Sequence, residues 1–144
     1  MRSNEVDGVN YHFISVNEFL SMNMLEQTMF NGWYYGTGLN CLVDDKINIG
    51  VFNPAGVRTL TQRACLDTTV YKLETKPATR LIRQLQREED PDIKEIFRRY
   101  EADEKDFKDL LFNYTVLRNE TFVDLERAMN IITLKAKQDL GKNG

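Results

Sequence analysis

The stretch that decides how this chain is interpreted is Glu26-Gln-Thr-Met-Phe-Asn-Gly-Trp-Tyr-Tyr-Gly-Thr37. Its centre, Asn31-Gly32, is the dipeptide that most strongly favours a two-residue hairpin turn, because the turn needs positive φ at its central positions. Residues 27–30 and 33–35 flank it with apolar and aromatic side chains, which are typical of strands. The stretch therefore predicts a β-hairpin.

Working outward, the opening segment 2–11 and the hairpin contain the residue types that bind a phosphate. Arg2 offers a planar, bidentate donor, and the hydroxyls of Tyr11 and Tyr35 donate without adding charge. If the two segments pack together, these three side chains converge on one phosphate, and Glu5 can orient the guanidinium of Arg2. Taken alone, an N-terminal arginine is usually solvated and a tyrosine in a β-rich segment usually lies in the core.

The ends of the hairpin contain residue types that can read a purine base. A carboxylate such as that of Glu26 accepts two parallel N–H bonds, which is the pattern that guanine offers through N1–H and its 2-amino group. A hydroxyl such as that of Thr37 can donate to O6. Considered alone, a glutamate such as Glu26 more often lies solvated at a helix end, and a threonine such as Thr37 more often provides a hydroxyl in a turn.

The combination of these segments resembles the monophosphate-binding region of guanylate kinases. The resemblance rests on Glu-Val-Asp-Gly-Val-Asn-Tyr-His-Phe at 5–13 and Tyr-Tyr-Gly-Thr at 34–37. It implies that Arg2, Tyr11 and Tyr35 hold the phosphate of GMP or a related purine monophosphate, and that Glu26 and Thr37 read guanine. Six residues occupy the family's positions in order, namely Arg2, Glu5, Tyr11, Glu26, Tyr35 and Thr37.

The remainder of the chain alternates strand and helix patterns. Strands are predicted at 47–52, 68–74 and 114–117, and the helices between and after them at 54–64, 77–110 (with a break at Glu88-Glu-Asp-Pro91) and 120–140. Such alternation favours right-handed crossovers and a mostly parallel sheet. Near the start, Ser15-Val-Asn-Glu18 is a capping box that predicts a short helix, and the apolar face of that helix, with Phe19, Leu20 and Met24, is expected in the core. The last helix is likewise expected to bury one apolar stripe, formed by Phe122, Leu125, Met129 and Ile132. The fold class is therefore α/β. With the resemblance, it is a partial P-loop nucleotide kinase-like fold with a small β-rich monophosphate-binding subdomain. The expected division is a GMP-binding subdomain at 1–38, core strands and a helix at 39–76, lid-like helices at 77–101, and a C-terminal core strand and helix at 102–144.

Two segments are similar to the lid of the family, one at 73–87 and one at 96–100. The resemblance implies that four arginines close over the transferring phosphoryl group, namely Arg83, Arg87, Arg98 and Arg99. The acidic residues around them leave a second interpretation open, that of a solvated and ion-paired helix face.

The sequence also departs from the family. It contains no G-x-x-x-x-G-K-[ST] motif, and Asn53 stands where the family's Asp-x-x-Gly has its acidic residue, which weakens that base or metal contact. The family implies ATP and Mg²⁺, but the donor site for them is absent, so no cofactor is expected in this chain. We expect a GMP-binding remainder of a kinase, either truncated or a relic. The alternative is a non-catalytic protein-interaction module.

Composition narrows the class of protein further. The 144 residues are 42 % hydrophobic and 28 % charged with a net charge of −3, as in a soluble globular domain without a basic surface for nucleic acid. No apolar run approaches the roughly 20 residues of a membrane span. The two cysteines and the single histidine have no metal-like spacing, which favours a cytoplasmic protein without a metal site. Loss of the family's first strand would also favour self-association to complete the sheet.

Overall fold

The computed structural model describes residues 6–9, 11–30, 32–87 and 89–141. The chain divides into two compact units, Met1–Val43 and Asp44–Gly144. The elements of the first unit are α1 (Val16–Ser21), β1 (Met24–Phe30), β2 (Trp33–Gly38) and a 3₁₀ turn (Leu39–Cys41). Those of the second unit are α2 (Pro54–Thr61), β3 (Tyr71–Glu74), α3 (Pro77–Arg87), α4 (Ile93–Asp106), β4 (Thr115–Arg118) and α5 (Phe122–Leu140).

The first unit is built on the predicted hairpin, which is confirmed. β1 and β2 pair antiparallel around Gly32, whose φ of 78° places it in the left-handed region that the turn requires. The predicted capping box at the start of α1 is also confirmed. The amide of Glu18 donates to the Ser15 hydroxyl, and the amide of Ser15 donates to the Glu18 carboxylate. The Ser15 hydroxyl also donates to the Glu18 carboxylate, and this bond, followed by the one from the Ser15 amide, lowers the pKa of Glu18.

The core of the first unit is small. Phe19 of α1 and Leu25 of β1 are buried, and the ring of Phe19 lies 5.4 Å from that of Tyr34. Leu20, which we expected beside Phe19 in the core, is exposed. A six-residue helix has only one or two turns, so it can bury only a narrow stripe.

The second unit is organised around a parallel pair of strands. β3 and β4 pair in the register Tyr71↔Thr115 to Glu74↔Arg118, and α5 packs against β4. α3 packs against α4, where the guanidinium of Arg80 lies 5.0 Å from the centroid of the Tyr100 ring. The described residues thus form a mixed α/β structure with one parallel and one antiparallel pair, which is less sheet than the mostly parallel core that we expected.

The predicted core strand at 47–52 is wrong. These residues have no regular secondary structure, and the side chains of Ile49 and Val51 are exposed. A β-branched run forms a strand only where a neighbouring strand pairs its backbone and a packed face covers its side chains. Within the described ranges, residues 47–52 take part in neither of the two sheets.

The apolar stripe that we expected to be buried along α5 is also largely exposed. The side chains of Phe122 and Met129 are 73 % and 58 % exposed, whereas the small Ala128 is buried. The periodicity therefore predicted the helix correctly but not which of its faces contacts β4. None of the helices in the described ranges combines the length and apolar character needed to cross a lipid bilayer.

Candidate functional site

The hairpin places Glu26 and Thr37 directly opposite one another. They are Cα partners in the antiparallel register, so their side chains project from the same face of the hairpin. The Thr37 hydroxyl donates to Oε1 of Glu26 over 2.9 Å. Glu26 is only 7 % exposed. The two residues that the sequence proposed as base readers are therefore brought together as one hydrogen-bonded pair.

The Glu26 carboxylate retains acceptor capacity. An ionised carboxylate can accept about four hydrogen bonds, two at each oxygen. Within the described residues, the Thr37 hydroxyl is the one donor to this side chain. A buried carboxylate with so few partners is costly unless another donor satisfies it. This group is suited to accept N–H bonds from a ligand.

Gly36, between Tyr35 and Thr37, makes this arrangement possible. A Cβ at this position would lie 2.6 Å from the backbone oxygen of Glu26 and 3.2 Å from the Cα of Gln27. Those atoms belong to the paired strand and cannot move without opening the hairpin. Our sequence reasoning did not assign this role to Gly36, although the Tyr-Tyr-Gly-Thr motif contains the signal.

The two tyrosines proposed for phosphate binding also meet. The rings of Tyr11 and Tyr35 pack edge to face with centroids 6.2 Å apart, and both side chains remain partly exposed. Tyr35 is two residues from Thr37 on β2, so both side chains point to the same face of the hairpin. The other two residues predicted on this side, Arg2 and Glu5, lie outside the described residues.

Asn53 has a structural role at the start of α2. It is the N-cap residue, and its Oδ1 accepts a hydrogen bond of 2.8 Å from the amide of Gly56. Asparagine is among the residues preferred at this position because its side chain satisfies an amide that the helix leaves free. The observed contacts of Asn53 are thus those of a cap.

Three of the four predicted lid arginines have partners within the second unit. The guanidinium of Arg83 donates to the carbonyl oxygens of Asn119 and Glu120, each over 2.9 Å. Arg98 and Arg99 both donate to the Glu95 carboxylate at 2.7–2.8 Å. The hydrogen bonds from Arg98, followed by those from Arg99, lower the pKa of Glu95 to about 2.

The fourth arginine, Arg87, is exposed in the last turn of α3. The ion-paired helix face that the sequence left open therefore describes the present contacts of Arg98 and Arg99. No three His, Cys, Asp or Glu side chains among the described residues are placed to hold a metal ion.

One cluster escaped the sequence analysis. Glu120, in the turn between β4 and α5, accepts hydrogen bonds from the amide of Lys76 and from the hydroxyl of Thr79. The hydroxyl of Thr75 donates to the carbonyl of Asn119. The bond from the Lys76 amide is the main cause of a lowered Glu120 pKa. We name these five residues the α3 clamp, because they fix the start of α3 to the turn. Their partners are 41–44 positions apart, so no local pattern could have predicted the contacts.

A comparison with protein families identifies a family to which this chain is similar. The family model described as guanylate kinase matches residues 1–133, which is nearly the whole chain. No curated protein matches the chain in a sequence search.

Proposed function

The chain belongs to the guanylate kinase family, and on that premise we propose that it binds GMP or a closely related purine monophosphate on the hairpin face that bears Glu26 and Thr37. The observation that carries the proposal is the buried Glu26 carboxylate, whose one donor among the described residues is the Thr37 hydroxyl. Guanine supplies two parallel N–H donors, from N1 and from the 2-amino group. Adenine has no N1–H and no 2-amino group, so it leaves the carboxylate unsatisfied.

The phosphate would lie beside the paired tyrosines. In this proposal the hydroxyls of Tyr11 and Tyr35 donate to the phosphate oxygens, and Arg2 adds a bidentate, charged contact that Glu5 orients. The proximity of the two tyrosine rings supports the first part. The family resemblance alone supports the assignment of Arg2, Glu5 and Asn53 to this site.

The phosphoryl-transfer role of the family depends on ATP and Mg²⁺, which neutralise and position the transferring group. The lid arginines, Arg83, Arg87, Arg98 and Arg99, would stabilise its charge. Arg83, Arg98 and Arg99 would have to exchange their present carbonyl and carboxylate partners for phosphate oxygens. The 144 residues contain no Walker A motif. We therefore propose nucleotide binding without phosphoryl transfer for this chain by itself.

Calorimetric titration tests the binding step. GMP is expected to bind, and AMP to bind at least about tenfold more weakly, since the loss of hydrogen bonds to a charged group costs about 1.5–3 kcal/mol. Glu26→Gln should weaken GMP binding by a similar factor. Gln27→Ala is the matched control, because Gln27 is exposed and faces the other side of the hairpin. No heat with GMP, or equal affinity for AMP, would overturn the proposal.

A coupled assay of ADP formation tests the catalytic step. The 144-residue chain with GMP, ATP and Mg²⁺ should give no turnover above the rate without GMP. Clear turnover would show that another segment of the chain replaces the phosphate-binding loop.

A second candidate function is an interaction module that pairs with another copy of itself. Two observations favour it. The outer edges of the β3–β4 pair have no strand partner within the described residues, and α5 exposes large apolar side chains such as Phe122 and Met129. Open edges and apolar stripes are surfaces that proteins normally cover. Sedimentation velocity should give a dimer whose dissociation is promoted by Phe122→Ser. A monomer at all concentrations would exclude this candidate.

A further inference from the structure

We propose that Asp7 is a positioning residue for the phosphate contact of Tyr11. Its carboxylate closes the loop at residues 7–13 and so fixes the direction from which Tyr11 reaches a ligand. This role rests on the proposed function, because Tyr11 matters only if a phosphate binds beside Tyr35. Asp7 is not among the six residues that the resemblance assigns to the nucleotide site.

The loop follows directly on a tight turn at residues 6–9. The amide of Val9 donates to the carbonyl of Val6 over 3.2 Å, and Gly8 has a φ of 75°. A four-residue turn with positive φ at its third position alone is a type II turn, which favours glycine there. A Cβ on Gly8 would meet no other atom within 4 Å, so the backbone angle alone selects glycine. Asp7 therefore lies at the second position of a turn whose shape Gly8 determines.

Asp7 and Gly8 hold the backbone at Tyr11 and just beyond it. The amide of Gly8 donates to the carbonyl of Tyr11 over 2.7 Å, and the amide of Phe13 donates to Oδ1 of Asp7 over 2.8 Å. Asp7 and Tyr11 also form an isolated parallel bridge. The Tyr11 ring lies 6.0 Å from that of Phe13 and 6.2 Å from that of Tyr35. The closed loop therefore presents the Tyr11 ring to Tyr35.

Hydrophobic burial contributes little to the closed loop. The side chains of Val6, Val9, Tyr11 and Phe13 are between 41 % and 78 % exposed. Side chains this exposed gain only part of the free energy of burial, so the hydrogen bonds of Asp7 and its neighbours carry a large share of what holds the loop. A loop that is not already closed must be ordered when the ligand binds, and that ordering lowers the affinity.

Asp7 cannot bind the phosphate itself. An ionised carboxylate has no proton to donate, and its charge has the same sign as that of a phosphate. What Asp7 contributes is an acceptor for the Phe13 amide, and the neutral Oδ1 of an asparagine can fill the same role. The oxygen of Asp7 is therefore needed for the closed loop, whereas its charge is not.

Titration of two variants with GMP and with guanosine tests this role. Asp7→Ala should weaken GMP binding about fivefold, the net worth of one hydrogen bond, whereas guanosine, which has no phosphate, should bind as it does to the wild type. Asp7→Asn should bind GMP as tightly as the wild type or slightly more tightly, because the acceptor remains and a negative charge is removed. Equal losses for GMP and guanosine would overturn the positioning role. So would a loss in Asp7→Asn as large as that in Asp7→Ala.

Glu18→Ala is the matched control for this series. The Glu18 carboxylate also accepts from a backbone amide of the first unit over 2.8 Å, that of Ser15, but it caps α1 and does not close the loop. Its removal should leave the ratio of the GMP and guanosine affinities within about twofold of the wild type. A fall of that ratio as large as in Asp7→Ala would mean that any weakened backbone contact in the first unit reduces phosphate binding, and would overturn a specific role for Asp7.

Hydrogen exchange of the free protein separates this role from the proposed function. By NMR, the Phe13 amide should exchange about fivefold faster in Asp7→Ala than in the wild type, and Asp7→Asn should restore the wild-type rate. Equal rates in all three proteins would overturn the role of Asp7 even if GMP binds. Faster exchange in Asp7→Ala together with no GMP binding by the wild type would overturn the nucleotide proposal and leave the closure of the loop by Asp7 standing.

Discussion

Replacement of Asn53 by alanine is expected to destabilise the second unit by about 1 kcal/mol, because it removes the N-cap of α2. The Oδ1 of Asn53 accepts from the amide of Gly56 over 2.8 Å, and Pro54 follows at the first helical position. In α2, the missing N–H of Pro54 leaves fewer free amides for a cap to satisfy, so a single side-chain bond carries most of the effect. The helix also contributes the buried Leu60 to the core, so fraying would reach the packing.

Urea unfolding followed by far-UV circular dichroism measures this effect. With a slope of about 1–3 kcal/mol per M for a small domain, a loss of about 1 kcal/mol moves the midpoint down by roughly 0.3–1 M at unchanged slope. Asn53→Asp should unfold at or slightly above the wild-type midpoint, because aspartate caps as well as asparagine and its charge favours a helix N-terminus.

Thr59→Ala is the control within the same helix. Its exposed hydroxyl donates back to the carbonyl of Ala55, and alanine is the better helix former, so stability should be unchanged or slightly raised. If Asn53→Asp is as destabilising as Asn53→Ala, the capping argument is refuted. If Asn53→Asp instead keeps stability but changes GMP affinity, Asn53 belongs to the nucleotide site as the resemblance implies.

Three further predictions concern the second unit. Since its two arginine neighbours lower the Glu95 pKa from 4.5 to about 2, Glu95 adds stability that is present above pH 4.5 and lost as the pH falls towards 2. Glu95→Gln should remove that part of the pH dependence of unfolding, and an unchanged profile would contradict the pairing. Glu120→Ala should speed hydrogen exchange of the Lys76 amide about fivefold by NMR, because that amide loses its acceptor; equal rates would exclude the clamp. Leu117→Ala should lower the free energy of unfolding in urea by about 2–5 kcal/mol, since Leu117 is only 5 % exposed. Leu73→Ala, at the register partner of Leu117, should lower it clearly less because Leu73 is 52 % exposed; equal losses would contradict the observed packing.

Local chemistry made much of the fold predictable. The hairpin followed from Asn31-Gly32 between apolar strands, and the start of α1 followed from Ser15 and Glu18. Both signals act within a few residues, through required dihedral angles or through side chains that satisfy nearby amides, so tertiary contacts are not needed to establish them.

The failures have a common cause. Residues 47–52 have strand propensity but no strand partner in the described part of the chain, and the stripe of α5 has the right period but the wrong face toward β4. Propensity and periodicity describe what a segment can do when a partner is present. They do not say which partner the rest of the chain supplies.

The sequence by itself determined the hairpin and the family to which the chain belongs, and it supplied the residues on which the proposed guanine and phosphate contacts depend. Only the tertiary structure decided that Thr37 donates to a buried Glu26, and that Arg83 donates to the turn before α5. The physical reason is the separation along the sequence between the residues that make these contacts. A strand register, a burial fraction and a hydrogen bond across 11 or 36 positions depend on how separate segments pack, and one hydroxyl proton can be assigned only when its acceptor's position is known.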